Sequence, residues 1–315
     1  MKTAPSCPIP GRPSLNEHLY SKGKIPDELR HLILHISTAA KYIHSAIRTT
    51  EAGLSGTKNQ FGEAQVKLDV LSDDIVRQHL CESRLVASYI SEEQSEIIEL
   101  SSDAPYSVVF DPLDGSSLVD ANFSIGSIFG IYKGSELIGR KPKEQVAALY
   151  VLYGPRTLLV YCTGNGVHEF IINEVGEFIV LREFLGVADT AKNFAPGNLG
   201  SILDDKPYHD VLHAWIKDKM TLRYSGCMVA DIHHILSKGQ GVFTYPAGSK
   251  YPDGKLRLVF ECGPFAYLIT HAGGAASDGK MDIMEKKILE IDQRTPIIVG
   301  SKKEVDRVLK VLASK

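Results

Sequence analysis

Leu29, Leu32, Ile33, Ile36, Ala40, Ile43 and Ile47 recur on one helical face, and Pro26, Asp27 and Glu28 precede them, so a helix is predicted over 26–47. Residues 51–64 are polar and glycine-containing and predict a mobile loop. Ser72, Asp73 and Asp74 predict the cap of a second helix running towards residue 85. Strands are predicted over 124–132, 146–153, 157–162 and 167–172, with Gly164, Asn165 and Gly166 turning a hairpin. Beyond about residue 185 the pattern alternates: helices over 208–219, 229–238, 264–271 and 303–313, strands over 241–245 and 255–261. The expected fold is a layered α/β (α+β) sandwich of two packed subdomains, 25–185 and 186–315. A flexible arm over 1–24, holding Pro5, Pro8, Pro10 and Pro13, is expected before them.

Composition narrows the function. The chain has 315 residues, 43% of them hydrophobic, ample for a large core. A net charge of −3 offers no field for nucleic acid or an anionic membrane, so an anionic substrate must be gripped by local cations. Five scattered cysteines without a CxxC pair argue against a disulfide framework or zinc knuckle. They point to a reducing compartment, the cytoplasm, with a plastid left open. No apolar stretch approaches the roughly 20 residues of a membrane span, and residues 1–24 lack the charged-then-apolar order of a secretory signal.

The candidate chemistry begins at Tyr106-Ser-Val-Val-Phe-Asp111-Pro-Leu113-Asp114-Gly115-Ser116-Ser117. A hydrophobic strand delivers two carboxylates onto a turn of small residues, which suits a hard cation and a phosphate. Asp-Pro and Asp-Gly are also common turn dipeptides, so partners must decide. Glu92 and Glu93 follow the apolar run 85–90 at a strand terminus, where open α/β folds place ligand groups; a solvated helix end is the alternative. Asp69, between Leu68 and Val70 in a strand-like stretch, is costly for a carboxylate without a partner. In a strand over 255–261, Lys255, Arg257 and Glu261 share one face, unless this is simply a charged edge.

Six carboxylates, Asp69, Glu92, Glu93, Asp111, Asp114 and Glu261, repel one another in one cleft unless divalent cations lie between them. Oxygen-only ligation selects Mg2+ or Mn2+ over Zn2+, the layout of metal-assisted phosphate-ester hydrolysis. GxSxG, GxxxxGK[ST], GxGxxG and HExxH are all absent. His233 and His234 read as surface or packing residues.

In order, KLDVLS, SEE, DPLDGSS, RYSGCMVAD, TYPA and KLRLVFE resemble the fructose-1,6-bisphosphatase family of metal-dependent sugar phosphatases, over residues 29–311. Leu118-Val119-Asp120-Ala121-Asn122-Phe123 and Phe194-Ala195-Pro196-Gly197-Asn198 resemble its sedoheptulose-1,7-bisphosphatase branch. The resemblance implies hydrolysis of the C1 phosphate of sedoheptulose 1,7-bisphosphate, with fructose 1,6-bisphosphate as the alternative substrate. It implies two or three Mg2+ ions held by Glu92, Asp111, Asp114, Glu261 and the Leu113 carbonyl. Glu63 replaces a loop aspartate and keeps a carboxylate near the metals. Asp69 and Glu93 resemble the pair that activates water, and Gly115, Ser116 and Ser117 with Arg257 the cradle of the departing phosphate. Arg223, Tyr224, Met228, Tyr245, Lys255 and Asn198 resemble the grip on the rest of the substrate. In the family that arginine comes from a neighbouring subunit, which implies a homodimer or homotetramer. Pro105 and Lys133 depart from the AMP-binding signature. An inositol-phosphate phosphatase shares the metal motif, but Arg223 and Lys255 besides Arg257 favour a bisphosphate. An inactive sugar-phosphate-binding regulator predicts a lost carboxylate, and every expected one is present.

Overall fold

The computed structural model describes residues 11–22, 24–50, 54–58 and 64–313. Its helices are α1 Leu15–Ser21, α2 Asp27–Thr49, α3 Lys67–Ser83, α4 Lys206–Lys217, α5 Met228–Lys238, α6 Gly263–His271 and α7 Lys302–Leu312. The strands of the first half are β1 Leu54–Lys58, β2 Ala64–Val66, β3 Val86–Ser91, β4 Ile98–Glu99, β5 Tyr106–Asp114, β6 Ile125–Lys133, β7 Gln145–Tyr153, β8 Thr157–Cys162, β9 Val167–Ile172 and β10 Phe178–Arg182. The second half adds β11 Asn193–Pro196, β12 Thr221–Leu222, β13 Val242–Tyr245, β14 Ala275–Ser277 and β15 Ile297–Gly300.

An eight-stranded sheet runs in the order β10-β9-β8-β7-β6-β5-β3-β4, antiparallel throughout except where β3 lies parallel to β5. Both faces are covered, which is why its central strands read as apolar runs rather than alternating ones. Phe129, Leu149, Val151 and Leu159 face the layer of α1, α2 and α3. Ile128, Tyr150 and Val160 face α5 and α6, and the same cluster takes in Phe243 and Val299 of the second sheet. That second sheet, β12-β11-β13-β15-β14, carries α4 and α7 on its far side around Trp215. The layers are thus helix, sheet, helix, sheet, helix. Among the described residues no helix is long and apolar enough to cross a membrane.

Four local expectations are corrected. The arm expected over 1–24 contains α1, closed by a capping box in which Glu17 N–H donates to Ser14 Oγ at 3.2 Å and Ser14 N–H donates to Glu17 Oε2 at 2.7 Å. Leu15, His18 and Leu19 of α1 are buried, so the helix is docked. The loop expected over 51–64 contains β1, which pairs antiparallel with β2 just at its end. Helix α3 starts at Lys67, so Ser72, Asp73 and Asp74 sit inside it and Asp69 lies in its first turn, not in a strand. Asp73 instead accepts a hydrogen bond from Gln94 Nε2 at 2.8 Å. Finally, 255–261 is not a strand: Arg257 itself is extended, but the chain bends before it and then passes through one π-helical turn at Leu258–Cys262 into α6. The Cys262 N–H reaches back to the Arg257 carbonyl at 3.0 Å, the i→i+5 bond of a π turn.

Candidate active site

The site gathers at the carboxyl ends of β3 and β5. Glu92 leaves β3 with its N–H bonded to the Phe110 carbonyl at 3.0 Å, which fixes it beside β5. The register of β5 on β6 slips between Asp111 and Asp114, so the two carboxylates leave the sheet at a bulge. Asp111 Oδ1 accepts the Leu113 N–H at 2.9 Å, closing the turn on itself. Gly115 follows at φ +79°, and a Cβ there would lie 2.9 Å from Cys227 Cβ, so glycine alone suits this junction.

The second half completes the site. The Val229 N–H, in the first turn of α5, donates to Asp114 Oδ2 at 2.7 Å, and the Cys227 thiol donates to the same oxygen at 3.2 Å. A carboxylate at a helix N-terminus is electrostatically favoured. The π turn folds Glu261 over its own start, where Glu261 Oε2 accepts the Arg257 N–H at 2.7 Å. Arg257, 4% exposed, forms ion pairs with Glu92 and, at 2.8 Å, with Asp292.

These groups line one cavity of about 320 Å³. Asp69, Glu92, Glu93, Asp111, Asp114 and Glu261 all contribute to its wall, with Leu113, Gly115, Ser116, Ser117, Tyr224, Met228, Tyr245, Lys255 and Arg257. Among the described residues, two predicted ones are not brought in. Asn198 turns away to donate to the Pro246 carbonyl at 2.8 Å. Arg223 is exposed, its Nη1 bonded to the Leu222 carbonyl at 2.9 Å. Glu63 lies outside the described residues.

Two charged wall residues were not among those predicted from the sequence. Arg294 reaches the cleft from a long loop without periodicity, and its Nη1 donates to the Lys255 carbonyl at 2.8 Å. Asp231, in the first turn of α5, accepts the Ser225 N–H at 2.8 Å and so holds the turn that carries Cys227. An aspartate near a predicted helix start was its available signal, and helix-start chemistry is too common to single one out.

Burial, followed by the neighbouring Glu92 and Asp114 charges, holds Asp111 well above the usual carboxylate range. Burial also lifts Asp114 to about 6, against the opposing Val229 and Cys227 hydrogen bonds. Glu261 rises to about 8, by burial first and then by Glu92 and Asp114. Buried carboxylates that resist ionising next to one another are what divalent cations relieve, and the donor set is all oxygen, as a hard cation requires. The residues therefore fit a divalent metal, with Arg257, Lys255 and Arg294 at hand for phosphate.

The family model described as "Fructose-1-6-bisphosphatase, N-terminal domain" matches residues 14–183, and "Fructose-1-6-bisphosphatase, C-terminal domain" matches 187–313. The chain belongs to the fructose-1,6-bisphosphatase family. A fructose-1,6-bisphosphatase class 1 of Geobacter metallireducens is 44% identical over 302 residues, covering 95% of each chain. A chloroplastic sedoheptulose-1,7-bisphosphatase of Triticum aestivum is 37% identical over 298 residues, covering 93% of this chain and 75% of that one. The structure of Leishmania major fructose-1,6-bisphosphatase in holo form superposes with a TM-score of 0.90 at 31% identity, covering 97% of this chain and 100% of that one. As a member of this family of metal-dependent sugar bisphosphatases, the protein is an enzyme, a phosphoric monoester hydrolase.

Proposed function

We propose that the protein hydrolyses the C1 phosphate of fructose 1,6-bisphosphate with two or three Mg2+ ions, Mn2+ serving in their place. The observation that carries this reading is the meeting of six carboxylates with Lys255, Arg257 and Arg294 in one cleft. Glu92, Asp111, Asp114, Glu261 and the Leu113 carbonyl hold the cations. Once bound, these supply Lewis-acid polarisation of the phosphoryl group and neutralise charge on the leaving oxygen. Asp69 and Glu93 take the proton of the attacking water. The backbone of Gly115, Ser116 and Ser117, with Arg257, cradles the departing phosphate. Tyr224, Met228, Tyr245 and Lys255 hold the distal half of the sugar phosphate, with Asn198 supporting their turn through Pro246.

Arg223 serves the cleft of a neighbouring copy in a homodimer or homotetramer. Its exposure supports this, as does that of its chain neighbour Leu222, 55% accessible. Bacterial class 1 relatives support the six-carbon sugar over the seven-carbon one expected from residues 118–123. Sedoheptulose 1,7-bisphosphate remains the second reading, favoured by Leu118-Val119-Asp120-Ala121-Asn122-Phe123 and by the wheat relative.

Phosphate release from both sugars, with Mg2+ and with a chelator, tests the proposal. The expected result is a higher kcat/KM on fructose 1,6-bisphosphate, abolished by chelation, and a loss of at least about 100-fold in Asp69→Ala. A higher kcat/KM on the seven-carbon sugar moves the assignment to the second reading. Turnover that survives full chelation overturns the chemistry.

A further inference from the structure

Away from the cleft, where α1 docks on the sheet, two histidines and a glutamate converge on one point. His18 of α1 and His168 of β9 are 3% and 2% exposed, and their ring centroids lie 4.6 Å apart. Glu183 follows β10, and its Oε1 lies 2.9 Å from His18 Nε2. One donor atom from each of the three lies within 4.8 Å of the others. We propose that His18, His168 and Glu183 form a binding site for a borderline transition-metal ion, Zn2+ or Co2+, which staples α1 to strands β9 and β10.

The donor chemistry separates this site from the cleft. Two imidazoles and one carboxylate match the usual Zn2+ set, whereas Mg2+ prefers the all-oxygen cleft. His18 Nδ1 is 2.8 Å from the Tyr161 hydroxyl, a buried outer partner that fixes the ring and leaves Nε2 for the ion. Glu183 is the adaptable donor, since its side chain is 41% exposed. The Lys22 ammonium sits 2.7 Å from Glu183 Oε1 and at the same time 4.9 Å from the Phe184 ring centroid, a contact it keeps without the carboxylate. The competing account is a hydrogen-bonded plug that fastens α1 without metal.

The test uses the full chain stripped by a chelator, dialysed, and titrated with Co2+ or Zn2+ in excess Mg2+. Wild type, Glu183→Gln and His168→Gln are compared, so ions in the shared cleft cancel. Wild type should bind one more ion per chain than His168→Gln, with the intense visible absorption of four-coordinate Co2+ and a raised Tm. Glu183→Gln, half-exposed and remote from the cleft, should keep the Mg2+-supported phosphatase rate and weaken that ion at least about tenfold. Equal stoichiometry and affinity in wild type and Glu183→Gln overturn the site, as does a wild-type titration without four-coordinate Co2+ absorption. Those results leave the plug as the sole role of the trio.

Discussion

Replacing Glu261 by glutamine should stabilise the metal-free protein and at the same time disable it. Glu261 rises from an ordinary value of 4.5 to about 8 because it is buried and faces Glu92 and Asp114. A carboxyl raised in the folded state keeps its proton there while the unfolded chain gives it up. Stability is therefore full in acid and falls as pH climbs from about 4.5 to about 8. At 1.36 kcal/mol per unit, the loss from this one group is about 1 kcal/mol at pH 5, about 3 at pH 7 and about 5 at pH 9. Unfolding entropy of about 2 cal/mol/K per residue, over 315 residues, makes about 4 kcal/mol worth about 6 °C in Tm. Glutamine keeps an oxygen for the Arg257 N–H, now accepted at 2.7 Å, so local geometry survives. The assay is thermal unfolding of both proteins in a chelator from pH 5 to pH 9. The Tm advantage of Glu261→Gln should widen by about 6 °C across that range and shrink or reverse when Mg2+ saturates the wild type. An advantage that stays flat or narrows with pH refutes the reasoning.

Three further outcomes are expected. Gly126→Ala puts a Cβ 2.5 Å from Val229 Cγ1 and 2.6 Å from the Val151 carbonyl. It should cost about 1–3 kcal/mol by denaturant unfolding and raise the Mg2+ needed for half activity, because Val229 N–H holds Asp114; unchanged values for both refute it. His233, lowered to about 4 mainly by burial, packs 3.0 Å from the Tyr150 hydroxyl. Its contribution is present above about pH 6.5 and is lost as pH falls towards about 4, worth about 3 kcal/mol, so His233→Gln should flatten the acid limb of the stability profile. Trp215→Phe removes the indole N–H that donates to Glu304 Oε1 at 2.6 Å, a loss of about 1–3 kcal/mol in unfolding experiments; since α4 and α7 lie far from the cleft, kcat should not move.

The sequence announced what short-range pattern can carry. The predicted ends of β6, β7, β8, β9, α5, α6 and α7 lie within one residue of the structure, because each is a long run bounded by turn residues or a clear helical face. Asp111 and Asp114 were visible as carboxylates on a strand-ending turn. The misses have physical causes. Lys255, Arg257 and Glu261 alternate as a strand would, yet an i→i+5 turn follows Arg257, and no period of two or 3.6 encodes a π turn. Asp69 looked strand-like because Leu68 and Val70 flank it, although it occupies the first turn of α3. Helix α1 went unseen because four prolines dominate the preceding arm and its buried face includes a histidine, His18, rather than a third aliphatic residue. Arg294 depends wholly on tertiary folding, with its own carboxylate partner, Asp292, only two residues away.

The boundary between the two family-model matches, near residue 185, divides the chain but not the chemistry. Asp114 belongs to β5, yet its carboxylate is held by Cys227 and Val229 from beyond that boundary. Glu92 belongs to the turn after β3, yet its ion-pair partner is Arg257. Neither half alone can therefore present the cleft. What keeps it assembled against its own repulsion is the shared core, in which Ile128, Tyr150 and Val160 pack with Val229, Phe260 and Phe265. A buried aliphatic or aromatic side chain contributes about 1.5–3 kcal/mol, so a few such residues match the strain of raising Asp114 and Glu261. The carboxylates are therefore held ready by apolar packing beneath them, and the same packing makes a glycine such as Gly126, deep in the seam, as consequential for the site as the residues that line it.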